Sequence, residues 1–291
     1  MKTALDYVSG SSILKSNEIG VSPSQLSRFF EKPHEWYRTQ ILGEEGFTGS
    51  TASLLGTIVH FVAESFTKTQ SVDKHEIYRY IFKTAFTPQQ QSKLLEDFNG
   101  ILEKPNETIE SFLQLYADHP DFEVNIVLEQ YKPMGNALIQ YLRQRGLPQR
   151  SEELVKAKIK DHYYVSGSCD AVMHDRKIID YKTTSEKTPK MYIPYNYKLQ
   201  LLCYAYIYKQ LGLNIDSISI VWITRNEVGR LGKTGKPLKD YPSKVVEVTE
   251  LVTEDDFQFI KDILCLVAES IQATKEYPHL KHIIWRDYRL K

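Results

Sequence analysis

The stretch Val165-Ser-Gly-Ser-Cys-Asp170-Ala-Val-Met-His-Asp-Arg-Lys-Ile-Ile-Asp180-Tyr-Lys182-Thr-Thr184 decides how this chain is read. Val165 to Met173 is rich in β-formers, His174-Asp175-Arg176 is polar, and Lys177 to Thr183 is β-rich again, which predicts two strands joined by a tight turn. Side chains alternate along a strand, so Asp180 and Lys182 share one face and Tyr181 points the other way. Antiparallel pairing brings Asp170 near Asp180, cross-strand neighbours lying roughly 5 Å apart. Two carboxylates that close repel unless a cation lies between them, and hard oxygen ligands suit Mg²⁺ or Mn²⁺. An Asp-x-Lys pair alone is common on solvated hairpins. The apolar Ile178-Ile179 ahead of it points instead to a buried strand that delivers Asp180 at its end.

Composition narrows the class without naming a function. The 291 residues suffice for one large domain or two small ones, and 42% hydrophobic with 25% charged residues is ordinary globular usage. Lys+Arg equals Asp+Glu at 37 each, so any surface for a polyanion must be a local patch. Nineteen tyrosines and twelve phenylalanines are many; most are read as core-edge residues, although exposed ones can stack on bases. The cysteines are Cys169, Cys203 and Cys265, odd in number and without C-x-x-C spacing, which indicates a reducing compartment and neither a disulfide framework nor a zinc ribbon. The N-terminus lacks the apolar run of a secretory signal, Asp6 and Glu18 argue against a transit peptide, and no apolar run approaches the roughly 20 residues of a bilayer span.

Outward from the central stretch, the pattern is mostly helical on the N-terminal side. Residues 1–21 end in a short extended segment, and Ser22-Pro23-Ser24-Gln25 reads as a helix start, with Ser22 as N-cap and Gln25 closing a capping box. That helix runs towards Phe30 and stops before Pro33, and residues 43–50 form a polar loop. Residues 51–68 form a helix with Leu54, Leu55, Ile58, Val59 and Val62 on its apolar face and His60 and Glu64 together on another. Residues 71–150 read as a helical insertion whose basic side chains, Lys132, Arg143 and Arg145, form a solvated face. Residues 153–159 alternate as a strand leading into the central hairpin.

On the C-terminal side, residues 191–211 form a long helix ended by Gly212, in which Gln200 and Tyr204 lie one turn apart. From spacing alone, Tyr204 is a core residue and Gln200 a surface one. Residues 217–224 and 244–249 are strands, residues 254–274 a closing helix, and the tail after Pro278 is basic and aromatic. Between the two strands, the Arg225–Asp240 loop carries Arg225, Arg230, Lys233, Lys236 and Lys239, and is the best local candidate for phosphate contact. No internal repeat or low-complexity linker divides the chain, so 1–291 reads as a single domain with the 71–150 insertion.

Taken together these stretches resemble the RecB-like branch of the PD-(D/E)XK nuclease superfamily. Gly56-Thr-Ile-Val-His60, with Glu64 after it, looks like that branch's Gly-x-x-x-His helix. Gly167-Ser-Cys-Asp170 looks like its Gly-x-x-Asp strand, Asp180-Tyr-Lys-Thr183 its Asp-Tyr-Lys-Thr strand, and Gln200-Leu-Leu-Cys-Tyr204 its Gln-x-x-x-Tyr helix. Val21 to Leu26, followed by Pro33 and Tyr37, is similar to the N-terminal segment of such nucleases. Four motifs in the right order on the right elements are far more specific than any one of them. They cover roughly residues 21–67 and 150–250. Two departures stand out. Cysteines that hold an iron–sulfur cluster in many relatives are missing, Lys32 standing before Pro33 and Cys265 alone in the C-terminal third, and Cys169 replaces the eponymous proline.

The resemblance implies an α/β fold with a central mixed β-sheet flanked by helices, and a stand-alone nuclease of phage or prophage RecE type, since no helicase phosphate-binding motif is present. It implies Mg²⁺ or Mn²⁺ held by His60, Asp170, Asp180 and the Tyr181 carbonyl, with no iron–sulfur cluster. Lys182 orients water or offsets charge on the phosphorane, Gln200 positions Lys182 or the water, Tyr204 contacts the phosphate, and Glu64 supports the ligands. DNA is the expected substrate, in the cytoplasm of a bacterial or phage-infected cell, away from membranes. A recombination or single-strand annealing protein and self-association are compatible partners. Exonuclease action on linear DNA is the leading expectation. An endonuclease on the same core is the alternative, and an inactive DNA-binding module is disfavoured by the intact Asp170, Asp180 and Lys182.

Overall fold

A computed structural model describes residues 18–44, 50–71, 109, 113, 122–229, 234, 236 and 239–277. In chain order these form β1 (Ile19–Val21), a 3₁₀ turn (Pro23–Gln25), α1 (Leu26–Glu31), α2 (Pro33–Gln40), α3 (Thr51–Ser71), α4 (Val124–Arg145), β2 (Leu154–Lys160) and β3 (Tyr163–Ser168). There follow β4 (Ala171–Val172), β5 (Lys177–Thr184), α5 (Tyr195–Gln210), β6 (Ser217–Thr224), β7 (Val245–Leu251) and α6 (Glu254–Glu276). The α/β class holds, with two mixed sheets. One has the order β1-β3-β2 and the other β4-β5-β6-β7. In the larger sheet β5 and β6 are parallel, and β4 and β7 flank them antiparallel.

All eight residues of β6 are buried, as expected for a central strand covered on both faces. Alternation on β5 feeds two cores. Ile178 packs with β2, β3, α1, α5 and α6, whereas Ile179 and Tyr181 pack with α3 and α4. Each fully buried isoleucine contributes about 1.5–3 kcal/mol through apolar burial. α5 lies between the sheets and α6, so Leu201 to Tyr208 are buried all round rather than on one stripe.

Several expectations are corrected here. The β-rich run 165–173 is not one strand: β3 ends at Ser168 in one sheet and β4 begins at Ala171 in the other, so the chain changes sheets at Cys169-Asp170. Ser22 makes no capping bond; its hydroxyl turns to Ser24 Oγ at 3.1 Å, and the helix opens as a 3₁₀ turn. A capping box does exist at α6, between Thr253 and Asp256. His34 to Arg38, not assigned to an element from sequence, belongs to α2 with Pro33 at its first turn. α4, inside the stretch read as an insertion, is a core helix, since Val127, Tyr131, Met134, Leu138 and Leu142 pack with Ile179, Val221 and Ile223. Arg145 is not a solvated cation: it pairs with Asp175 at 2.5 Å and approaches Glu247 at 3.7 Å. Most of residues 72–121, the N-terminal 17 residues and the tail after Tyr277 lie outside the described residues. Among the described residues no helix is long and apolar enough to cross a membrane.

Candidate active site

Asp170 stands where two strand registers meet. β4 pairs with β5 as Ala171↔Ile179 and Val172↔Ile178, and one step further along this register sets Asp170 opposite Asp180. β2 pairs with β3 as Leu154↔Ser168 and Val155↔Gly167, and extending that register sets Asp170 opposite Glu152. The change of sheet thus gathers three carboxylates at one place. Because β4 is only two residues long, the edge of β5 is open beyond Ile179. The Tyr181 peptide there is satisfied by site side chains. Its N–H donates to Asp170 Oδ2 at 2.6 Å, and its carbonyl accepts from His60 Nε2 at 2.7 Å.

His60 arrives on α3, which lies close against β5; a Cβ at Gly56 would sit 3.5 Å from Thr183 Oγ1. Its other nitrogen, Nδ1, is 3.5 Å from Asp170 Oδ1. Both neighbours are acceptors, so the imidazole carries a proton on each nitrogen in the metal-free chain, an assignment that follows from the partners. Burial alone would lower its pKa, but the Asp170 carboxylate outweighs burial and raises it to about 9. Glu152 closes the cluster: one ligand atom from each of His60, Glu152 and Asp170 lies within 4.8 Å of the others. Ser168 Oγ donates to Glu152 Oε2 at 2.8 Å, and Glu152 itself is held at φ +51°, the left-handed region a glutamate rarely adopts.

On the other face, Lys182 Nζ lies 2.6 Å from Asp180 Oδ2 as an ion pair. The approach does not meet hydrogen-bond geometry, and that buried oxygen has no other protein partner. Burial pushes the Asp180 carboxyl above its ordinary range, Lys182 opposing and Asp170 adding to the rise. Burial likewise pushes Glu152 up to about 7, with the Asp170 charge adding to it. Burial would raise Asp170 too, but His60, Lys182 and the Tyr181 N–H hold it below the carboxylate range. Lys182 is raised because Asp180 and Asp170 outweigh its burial, so it is an ammonium at any physiological pH. Its charge also lies 5.3 Å from the Tyr197 ring.

These residues fit a divalent cation. A buried carboxylate oxygen whose one neighbour is the Lys182 ammonium, raised pKa values on His60 and Glu152, and a converging imidazole, carboxylates and backbone carbonyl make a donor set suited to a hard divalent ion. Ligand atoms about 2.1 Å from one octahedral ion lie about 3 Å apart, and the 2.7 Å between His60 Nε2 and the Tyr181 oxygen approaches that spacing.

The family model of the PD-(D/E)XK nuclease superfamily matches residues 20–282, a span that contains every group just described. The chain belongs to this superfamily. Among solved structures it is similar to the "Putative exonuclease" of Eubacterium rectale, with 12% identity over 94% of this chain and 86% of that one and a TM-score of 0.52. It is also similar to a phage-related exonuclease from Haemophilus somnus 129PT, with 12% identity over 89% and 96% of the two chains and a TM-score of 0.43. An alkaline exonuclease from Laribacter hongkongensis matches at 13% identity over 54% of this chain and 73% of that one, with a TM-score of 0.33. No curated protein sequence matches the chain.

Within this nuclease fold, the structure brings His60, Asp170, Asp180, Lys182 and the Tyr181 carbonyl together. Gln200 lies one helical turn before Tyr204, and burial keeps the Tyr204 phenol neutral by raising it well above its ordinary value. Tyr204 is also structural: with Pro23 it presses on Gly167, where a Cβ would meet Pro23 Cδ at 3.0 Å and Tyr204 Cε1 at 3.1 Å. One interlocked contact therefore accounts for the glycine, the tyrosine and the proline of three separate motifs. Glu64 acts on Glu152 through its charge. The sequence reading missed Glu152 and Tyr197. Glu152 has no motif spacing, but pairing the strands on either side of Asp161-His162 as a hairpin carries position 152 opposite 170. Within the Arg225–Asp240 loop, Glu227 pairs with Lys187 at 2.8 Å and Asp240 accepts from Gly229 N at 2.8 Å, while Arg230 and Lys233 lie outside the described residues.

Proposed function

We propose that this nuclease is a metal-dependent DNA exonuclease that hydrolyses phosphodiester bonds from the ends of linear DNA. The observation that carries the metal dependence is the buried gathering of Asp170, Asp180 and Glu152 with His60, carboxylates that the single ion pair from Lys182 to Asp180 does not neutralise. His60, Asp170, Asp180 and the Tyr181 carbonyl hold Mg²⁺ or Mn²⁺, and Glu152 adds a fourth side chain. When bound, such an ion polarises a phosphate oxygen and lowers the pKa of water. Lys182, kept protonated, cannot act as a base; it orients the attacking water or offsets charge on the phosphorane. Gln200 positions Lys182 or the water, and the Tyr204 hydroxyl, kept protonated by burial, contacts the phosphate. The intact Asp170, Asp180 and Lys182 speak against an inactive DNA-binding module.

The reading of 1–291 as one nuclease domain is supported by the family match from 20 to 282. End-directed action is supported by the exonuclease name of the Eubacterium rectale protein, whose fold this chain shares. The test incubates the protein and Mg²⁺ with end-labelled linear duplex beside covalently closed circular DNA. Linear DNA is expected to be degraded and circles spared. Cleavage of circles as fast as linear DNA would overturn the exonuclease reading in favour of an endonuclease.

A further inference from the structure

The segment joining β5 to α5, residues 185–194, leads directly from the catalytic Lys182 to Tyr197, whose ring faces that lysine. It is anchored at two points. Pro189 is buried, and Ile193 is 4% exposed with its N–H 3.4 Å from Glu250 Oε1. Lys198 grips the other oxygen of Glu250 at 2.7 Å. Yet the side chains carried on and beside these anchors face outwards: Met191 is 71% exposed, Tyr192 57% and Tyr195 63%. No other stretch of the described residues exposes three large apolar side chains within five positions. Single exposed apolar residues need no explanation, but a fixed cluster of them on the segment that joins the Lys182 strand to the Tyr197 helix does. Cations accompany the rings. Lys190 stands 5.9 Å from the Tyr192 ring, and Lys187 and Lys239 stand 4.2 and 5.5 Å from the Tyr241 ring.

We propose that this segment is a stacking ledge for single-stranded DNA, on which Tyr192 and Tyr195 receive bases while Lys190 faces the phosphate backbone. The proposal rests on the nuclease reading above and names the form of DNA that this segment holds. Aromatic faces bind any base, so they retain a strand without reading its sequence, as a nuclease acting along a chain requires. Met191 supplies an adaptable apolar contact between them. The anchors at Pro189 and Ile193 reduce the ordering cost of binding, because the loop is already placed.

The test measures binding of a short fluorescent single-stranded oligonucleotide by anisotropy, in Ca²⁺ so that cleavage does not intervene. Tyr192→Ala with Tyr195→Ala is expected to weaken binding about 30-fold or more, with an unchanged melting temperature because both side chains are exposed. Tyr192→Phe with Tyr195→Phe is expected to restore it, since stacking needs the ring and not the hydroxyl. Lys190→Ala is expected to lower the salt dependence by about one counterion. The ledge is overturned if the double alanine variant binds as tightly as the parent, or if the parent binds no single-stranded DNA. It is also overturned if the parent self-associates through this surface in sedimentation and the alanine variant abolishes that association without changing DNA affinity. Failure of the exonuclease reading shows separately, as attack on closed circles.

Discussion

Two polar clusters sit on the same β-sheet and are built in opposite ways. On the α4 side, Glu247 of β7 is fully engaged. Oε1 takes Lys177 at 2.8 Å and Ser219 at 3.1 Å, and Oε2 takes the Tyr141 hydroxyl at 3.0 Å. Arg145 bridges from Glu247 to Asp175, and these partners outweigh burial and hold Glu247 below the carboxylate range. Three residues along β5 from Lys177, the Asp170–Asp180–Glu152 cluster has carboxylates in excess of cations. One buried oxygen lacks a hydrogen bond, and Asp180 and Glu152 are pushed up rather than down. The first network is closed and holds the fold. The second is left short of positive charge, at a cost in stability, and that shortfall is what a divalent ion makes good.

The largest effects separate these two clusters. Asp180→Ala and Lys182→Ala should each lower DNA cleavage by about 10³-fold or more, since each removes charge stabilisation made at the reacting phosphate. The melting temperature of Asp180→Ala should stay near the parent's, because burial already disfavours that carboxylate, whereas Lys182→Ala leaves Asp180 to take up a proton and should melt somewhat lower. Glu247→Ala should do the reverse. It removes the carboxylate partner of Lys177 and Tyr141, leaving Arg145 with Asp175 alone, and should cost about 2–4 kcal/mol of stability, while cleavage at 25 °C persists. Thermal melting beside end-label release checks both arms. A variant at Asp180 or Lys182 that cleaves like the parent breaks the comparison on one side, and an inactive but fully stable Glu247→Ala breaks it on the other.

A smaller effect sharpens the assignment of ligands. Cleavage should require Mg²⁺ or Mn²⁺ and be inhibited by Ca²⁺, whose looser geometry misplaces the water. His60→Ala and Glu152→Gln should each raise the metal concentration for half-maximal activity by about 10–100-fold. Calorimetric titration of Mn²⁺ should show the same loss without any substrate present. Full activity after exhaustive chelation would sink the metal assignment, and a Glu152→Gln protein that titrates like the parent would remove Glu152 from it.

Much of this site was legible before any coordinates, and the reasons are local. A period of two on 178–182 placed Asp180 and Lys182 on one face, and the short polar turn at 174–176 returned the chain so that Asp170 met Asp180. His60, Gln200 and Tyr204 were reached through the family resemblance, since helical spacing alone made Tyr204 core and Gln200 surface. What escaped depends on long-range geometry. β-propensity over 165–173 carries no mark of a change of sheet, which is set by packing against α5 and α3. The left-handed backbone at Glu152 has no sequence signal when the residue is not glycine or asparagine. The Ser22 capping pattern was present, but the 3₁₀ entry turned its hydroxyl towards Ser24. α4 looked amphipathic and polar enough to be peripheral, yet its apolar side fills a core that the sequence shows only as scattered positions.

The smallest expected effect is a pH dependence of metal stabilisation. In the metal-free chain His60 is raised from 6.5 to about 9 and Glu152 from 4.5 to about 7. A raised pKa means the folded state binds the proton more tightly than the unfolded state. The stability each group contributes is therefore full below its unfolded value and lost as pH rises through its folded value. For Glu152 that window runs from 4.5 to about 7 and for His60 from 6.5 to about 9, so both make the metal-free protein less stable at pH 9 than at pH 6. Asp170 is shifted the other way, but its window lies below its ordinary value of 3.8 and is exhausted before pH 6. A cation held by His60 and Glu152 must displace the protons they share, so its binding strengthens as pH rises. The increase in melting temperature caused by saturating Mg²⁺ should thus grow by a few degrees between pH 6 and pH 9. In Glu152→Gln the growth between pH 6 and 7 should shrink, and in His60→Ala the growth above pH 7 should vanish. A Glu247→Ala protein, altered only in the closed cluster, should keep the parent's pH dependence on a lower baseline. Equal stabilisation by Mg²⁺ at both pH values would mean that the ion does not compete with the His60 and Glu152 protons, and the open cluster would then be no more a metal centre than the closed one.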